Sequence, residues 1–152
     1  MGQSASTFLW YGKDGEAAVD FDVSLFPGAR LISKQGIGPG MSIVEFALGT
    51  QRFTAMTAPG GPAFSDAASI HFPCADQAEI DRLWAALADG GTELKSGWVR
   101  DRFGLAWQIV PAQLAALMAG GTPQQSQAVM AAMMPMVRIE LADLQAAFDK
   151  AG

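Results

Sequence analysis

The chain has one cysteine (Cys74), one histidine (His71) and one tyrosine (Tyr11) in 152 residues. A lone cysteine excludes an internal disulfide and makes a reducing cytoplasm the expected location. Any imidazole chemistry must use His71, and no second histidine exists for a Cys–His dyad elsewhere. Charge is sparse as well: 16% of residues are charged, the net charge is -5, and the ten Lys and Arg are scattered. That excludes the basic stripe of a nucleic-acid binder. No apolar run approaches the ~20 residues a membrane span needs, so neither nucleic acid nor membrane is an expected partner. The first residues, from Met1 to Thr7, lack the charged and apolar blocks of a signal peptide. Met1-Gly2 with Ser6 matches only the bare outline of a myristoylation motif. What is plentiful is apolar. Half the residues are hydrophobic, which excludes disorder. The length suits one domain, 1–152, burying roughly 68–70% of its unfolded surface.

Periodicity divides the chain into two like modules and a tail. Thr7 to Tyr11 alternates as a strand. Asp14 as N-cap and Glu16 in the first turn then open a helix whose stripe is Ala18, Phe21 and Leu25, stopped by Pro27-Gly28. Strands follow at about 30–35, 41–48 and 51–57. The same order returns after residue 64: a strand at 67–73, then a helix opened by the capping box Asp76–Glu79. That helix carries Ile80, Leu83, Trp84 and Leu87 at helical spacing and ends at Gly90-Gly91. Strands at 92–95, 97–102 and 105–110 complete the unit. The result is two βαβββ modules, 7–57 and 66–110, an internal duplication. From 111 to 152 the pattern is helical. Pro111 suits a first helical position, Thr122-Pro123 caps a second helix, and Leu141, Leu144 and Phe148 mark a third. The methionines here are expected as core filler or as a dimer contact. The fold class is α+β.

These modules resemble the vicinal oxygen chelate superfamily, which includes glyoxalase I, extradiol dioxygenases and the fosfomycin and bleomycin resistance proteins. Within it the chain resembles the PhnB-like family, often labelled a 3-demethylubiquinone-9 3-methyltransferase domain. The residues that carry the likeness are Phe8-Leu9-Trp10-Tyr11, Ser24-Leu25-Phe26-Pro27-Gly28, Val44-Glu45-Phe46-Ala47-Leu48-Gly49 and Phe53-Thr54-Ala55-Met56. In the second module they are Asp76-Gln77, Gly97-Trp98, Asp101-Arg102-Phe103-Gly104 and Trp107-Gln108-Ile109-Val110-Pro111. The likeness extends over nearly the whole chain, helical tail included.

The resemblance implies sheets that curl into an open curved barrel (the glyoxalase/bleomycin resistance-like form) and a cleft between them. It also implies that any metal sits on the first and last strand of each module. Those positions hold Thr7, Ser69, Gln108, and Phe53 or Ala55. None is a carboxylate, imidazole or thiolate, so no metal and no cofactor is expected.

Strand alternation, read independently, puts Phe8, Trp10, Val44, Phe46, Leu48, Ile70 and Phe72 under the helices. Thr7, Leu9, Tyr11, Met41, Ile43, Glu45, Ser69, His71 and Gln108 then form the cleft face, a mixture suited to an organic ligand. His71 and Glu45 could pair as acid and base or as two metal ligands. The plainer readings are a hydrogen-bonded histidine and a salt-bridged glutamate. Cys74, after a proline, reads as a buried inert thiol. Gly36 to Gly40 links two strands and opens no helix, so it is a hairpin connection and not a phosphate loop. No other Gly-rich turn from strand to helix exists in the sequence pattern to bind S-adenosylmethionine, so no methyltransferase cofactor site is expected. Arg100 and Arg102 flanking Asp101 read as a solvated turn with local pairing. Of Trp98 and Trp107, at least one is expected in the core, and Trp98 is a candidate wall of the cleft.

The leading expectation is a metal-independent binder of a small organic molecule, a homodimer. Its ligand contacts would be Thr7, Leu9, Tyr11, Glu45, Ser69, His71, Trp98 and Gln108. The alternatives are a lyase, isomerase or dioxygenase with a shifted metal at His71 and Glu45, a methyltransferase, and a pure interaction module.

Overall fold

The computed structural model describes residues 2–152, so Met1 and the N-terminal motif that depends on it lie outside the described residues. The chain divides into two compact units, 1–63 and 64–152. In the first, β1 (Thr7–Tyr11) runs into α1 (Gly15–Leu25). Three strands follow: β2 (Ala29–Gly38), β3 (Met41–Leu48) and β4 (Gln51–Thr57). The sheet order is β1-β4-β3-β2, with β1 parallel to β4 and the other pairs antiparallel. The helix between the parallel strands is what such a pair requires, since a short turn cannot join them.

Register fixes which side chains α1 covers. Leu9 pairs with Ala55 and Ala55 with Val44, while Tyr11 pairs with Thr57 and Thr57 with Ser42. Leu9, Tyr11, Val44, Phe46, Phe53 and Ala55 are all buried, and the Phe46 and Phe53 rings stack with centroids 5.0 Å apart. Phe8 is 57% exposed and Trp10 36%. The expectation for β1 is therefore inverted: Leu9 and Tyr11 pack under the helix, and Phe8 and Trp10 face away from it. The assignment of Val44 and Phe46 holds.

The stripe of α1 also differs from expectation. Ala18, Val19 and Asp22 are its buried residues past the first turn, while Phe21 and Leu25 flank them. Asp14 does not cap the helix with its side chain. Its backbone is left-handed (φ 61°), its carboxylate makes no bond to the helix, and its carbonyl alone serves Ala18 N–H. β2 runs four residues longer than expected, one at its start and three at its end, carrying irregularities around Ile32 and Ile37, and is an exposed edge strand.

In the second unit, β5 (Ile70–Cys74) leads to α2 (Gln77–Ala88), then β6 (Thr92–Glu93), β7 (Trp98–Arg100) and β8 (Ala106–Pro111). The order β5-β8-β7-β6 repeats that of the first unit, with β5 parallel to β8. Ile80, Leu83, Trp84 and Leu87 are buried, as their spacing predicts. Asp76 accepts from Glu79 N–H at 2.9 Å, while Glu79 reaches one residue further back to Ala75 N–H at 3.0 Å, so the expected capping box forms only in its first half. Each fully buried aliphatic side chain on this stripe contributes roughly 1.5–3 kcal/mol.

Strand boundaries shift in this unit: β6 and β7 are shorter than expected, and two of the other changes have local causes. Residues 66–68 form a turn, because Ser65 caps Ala67 N–H, and β5 begins only at Ile70. Pro111 ends β8 instead of opening a helix: it lies opposite Cys74 in the ladder, and Ala112 N–H donates to Cys74 O at 2.7 Å. A proline costs nothing at a strand end whose N–H has no acceptor to meet.

The tail belongs to this unit. Helices α3 (Gln113–Gly120), α4 (Pro123–Met133) and α5 (Leu141–Ala151) form a small core of Leu117, Val129, Ile139 and Leu144, flanked by Met118, Met133 and Met136. Thr122 caps α4 in a full capping box with Gln125. The tail is bound to the sheet at Ser96 and Gly97, whose N–H groups donate to Met136 and Val137 carbonyls. Gln77 on α2 donates to Ile139 O and accepts from Leu141 N–H. Gly97 (φ 82°) is required here, since a Cβ would meet Ile109 O and Ile139 Cγ1 at 2.9 Å.

Candidate functional site

The second sheet has one face covered by α2 and one that is not. Ile70, Trp107 and Val99 are cross-strand partners beneath the helix, with Trp107 and Val99 fully buried. One residue along, His71 pairs with Gln108 and Gln108 with Trp98, forming a row of imidazole, carboxamide and indole on the opposite face. His71 and Gln108 therefore share a face, as the alternation predicts. His71 is exposed, and its ring takes no partner among the described residues. Gln108 Nε2 donates to Ser69 Oγ at 2.9 Å, which fixes the carboxamide and leaves its carbonyl oxygen available. Arg100, next along the same face, holds Asp66 through both Nε and Nη2. The segment from Asp66 to Ser69 is thus tied to the sheet at two points, through a side-chain fork and through Gln108.

The turn that aims β8 is not solvated. Asp101 is 4% exposed. Its Oδ1 accepts from Phe103 N–H (2.9 Å) and Leu105 N–H (3.0 Å), and its Oδ2 accepts from Trp107 Nε1 (2.9 Å). Burial pushes its pKa above the ordinary 3.8, while Trp107, Leu105 and Phe103 pull the other way. Arg102 lies over the Phe103 ring at 4.7 Å. The expected local pairing is therefore replaced by a buried carboxylate, a guanidinium on an aromatic face, and an arginine bound to a residue 34 positions away. With Trp107 sealed in the core and Trp98 half-buried on the open face, the two tryptophans separate as the sequence suggests.

In the first unit, Glu45, Thr54 and Phe8 are cross-strand partners, as are Ile43, Met56 and Trp10. This is the face away from α1. Glu45 accepts from Arg52 Nη2 at 3.1 Å, the salt-bridged state that a strand glutamate commonly adopts. Trp10 Nε1 donates to Ala58 O at 2.8 Å. Thr7, Leu9 and Tyr11 lie on the other face, the last two buried, so they do not join Glu45. Alternation could not choose between the two sets on β1, since both are apolar. The missed residues of this face are Phe8 and Trp10.

Cys74 is fully buried, and burial pushes its thiol up to about 12, with Glu79 and Asp76 adding to the shift and Arg82 opposing it. It is inert at neutral pH. Among the described residues no three His, Cys, Asp or Glu side chains converge. The positions where the fold's metal enzymes carry ligands do not fit a divalent ion. Gln108 presents an amide whose nitrogen is engaged with Ser69. Thr7 accepts from Gln51 at 3.2 Å, and Phe53 and Ala55 are buried hydrocarbon. No helix of the described residues is long and apolar enough to cross a membrane.

Two four-stranded mixed sheets, each threaded β-α-β-β-β, are the fold of the vicinal oxygen chelate proteins. A fosfomycin resistance protein, FosX from Listeria monocytogenes, shares it at a TM-score of 0.58 and 15% identity, over 76% of this chain and 96% of its own. The chain itself belongs to the 3-demethylubiquinone-9 3-methyltransferase family, the PhnB-like group, whose model matches residues 3–110. A Bacillus cereus PhnB protein provisionally described by that same activity superimposes with a TM-score of 0.67 at 27% identity. The match spans 72% of this chain and all of the relative. The protein PA1353 from Pseudomonas aeruginosa follows at 0.60 and 21%, over 70% and 95% of the two chains. A comparison with curated proteins finds no match. The family model's match ends at residue 110, where the tail begins.

Proposed function

We propose that the chain binds a small organic molecule against the open face of the second sheet, without a metal ion. In this reading the two modules belong to one domain, and that face is where the ligand sits. The row His71–Gln108–Trp98 carries the reading: an indole supplies a flat wall, and an imidazole and a preset carboxamide supply polar contacts. Ser69 orients the carboxamide. In the first unit, Glu45 with Phe8 and Trp10 forms the corresponding open face of its own sheet, a second candidate contact surface. Leu9 and Tyr11 act from beneath the sheet as packing, and Thr7 is not a contact.

The amide at Gln108 is what favours binding over catalysis, because an amide oxygen is a weak ligand where the fold's metal enzymes present a carboxylate. The reading includes a homodimer, to which the exposed Met130 and Met134 of α4 and its C-terminal end offer contact area, in a cytoplasmic setting.

A fragment library screened by proton–nitrogen correlation spectra tests it. Binders should perturb the Trp98 indole and Gln108 carboxamide signals together, with and without EDTA, and Gln108→Ala should abolish the response. Binding lost on chelation would replace this reading with a metal enzyme using His71 and Glu45. Saturable binding of S-adenosylmethionine would replace it with a methyltransferase.

A further inference from the structure

A pocket of about 740 Å³ opens in the first unit beside the first turn of α1, on the side of the sheet away from Glu45. It lies outside the carboxyl ends of the parallel strands β1 and β4, the place where α/β arrangements hold their ligands. Its lining includes Gly15, Glu16, Ala17, Lys34, Ser42 and Thr57.

The donors in it are unusually idle. Asp14 gives α1 no side-chain cap, and the first backbone bond is Ala18 N–H to Asp14 O. The N–H groups of Gly15, Glu16 and Ala17 therefore meet no acceptor in the helix, at the end where the helix dipole is positive. Ser42 is only 6% exposed and lines the pocket, and its hydroxyl has no partner among the described residues. Thr57 Oγ1 is buried without a partner too, under Gly15, where an added Cβ would collide with it. A buried hydroxyl left unpaired carries a desolvation cost that a ligand would remove. The Lys34 ammonium stands at the rim, 3.3 Å from Glu16 Oε1. The turn that opens the helix, Gly12-Lys13-Asp14-Gly15, joins β1 to α1 and is a Gly-containing strand-to-helix turn, contrary to expectation. The hairpin glycines Gly36, Gly38 and Gly40 line the opposite wall without opening a helix.

We propose that this pocket binds a phosphate group, free or as a monoester. Three amides, two hydroxyls and one ammonium suit a tetrahedral dianion with three terminal oxygens. A carboxylate, with about four acceptor sites, would leave donors unused. Glu16 competes for Lys34 and the Asp14 carboxylate repels, and both weaken the binding.

The test is a titration of the full chain with inorganic phosphate, glycerol phosphate and acetate, read on backbone amide shifts. Saturable shifts at Gly15, Glu16 and Ala17 are expected with either phosphate, and the tighter of the two identifies free phosphate or a monoester as the natural form. Ser42→Ala should weaken binding about tenfold, the loss of one hydrogen bond to a charged group. Glu16→Gln should tighten it about threefold, and Lys34→Gln, at an exposed position where folding is not at stake, should weaken it by a similar factor. Shifts that rise linearly without saturation, acetate binding as tight as phosphate, or an affinity unmoved in Lys34→Gln would overturn the proposal.

Discussion

Replacing Asp101 with Asn separates charge from shape at the turn that sets β8. The carboxamide oxygen can keep the two backbone donors, Phe103 N–H and Leu105 N–H, but its NH2 then faces the Trp107 indole N–H, now donor against donor. One hydrogen bond to a charged group is lost, worth about 1.5–3 kcal/mol, and a buried indole N–H is left unpaired. Relief of the charge's burial offsets part of that, so the net cost is about 2 kcal/mol. Asp101→Ala leaves all three donors unmet and costs about 4 kcal/mol, a large part of the ~5–15 kcal/mol that holds a domain folded.

The pH dependence follows from the direction of the shift. Burial raises the folded pKa above 3.8, so across that window the native state binds more protons than the unfolded chain. Asp101's contribution is therefore fully present below pH 3.8 and falls as pH rises through the raised value. The gap between wild type and Asp101→Asn should narrow as pH is raised from about 4 to 7. Guanidinium unfolding followed by tryptophan fluorescence measures it, since Trp107 is fully buried. A gap that widens over that range would refute the reasoning and show that the three donors, not burial, set the carboxyl's pKa.

Other consequences can be checked with single variants. Native Cys74 should resist iodoacetamide at about pH 8 and react only after denaturation, as expected for a buried thiol held near 12. Its raised pKa contributes stability that is lost as pH climbs from 9 toward 12, visible as a falling melting temperature that Cys74→Ala lacks. Gly97→Ala should cost about 2–4 kcal/mol by chemical denaturation, from a left-handed backbone and close contacts with Ile109 and Ile139. Gln77→Ala removes two bonds to the tail, and faster hydrogen exchange at Leu141 N–H is the expected sign, with a loss of about 1–3 kcal/mol.

How much of this was readable in the residues depends on whether one arrangement had a competitor. The stripe of α2 and its Asp76–Glu79 cap had none, because helical spacing, cap and glycine stop agreed. The duplication was legible for the same reason, and so was the row His71–Gln108, since its neighbours Ile70, Phe72, Trp107 and Ile109 form an unmistakably apolar opposite face. β1 failed because Phe8 and Trp10 compete with Leu9 and Tyr11 on equal apolar terms. Only register against β4 decides the face, and register is a long-range fact. Asp101 failed because a charged residue between two arginines looks solvated, whereas its three donors arrive from the turn it organises and from Trp107. The α1 pocket was missed because its donors are backbone amides, which no residue type announces.

The measurement that bears most directly on the binding claim is a crystal structure of the protein soaked with its best fragment in the presence of EDTA. The account predicts density on the open face of the second sheet, stacked on Trp98 and hydrogen-bonded to Gln108 Oε1 and His71. A fragment bound elsewhere, with that face empty, or one that binds there only when a divalent ion is restored, would contradict it.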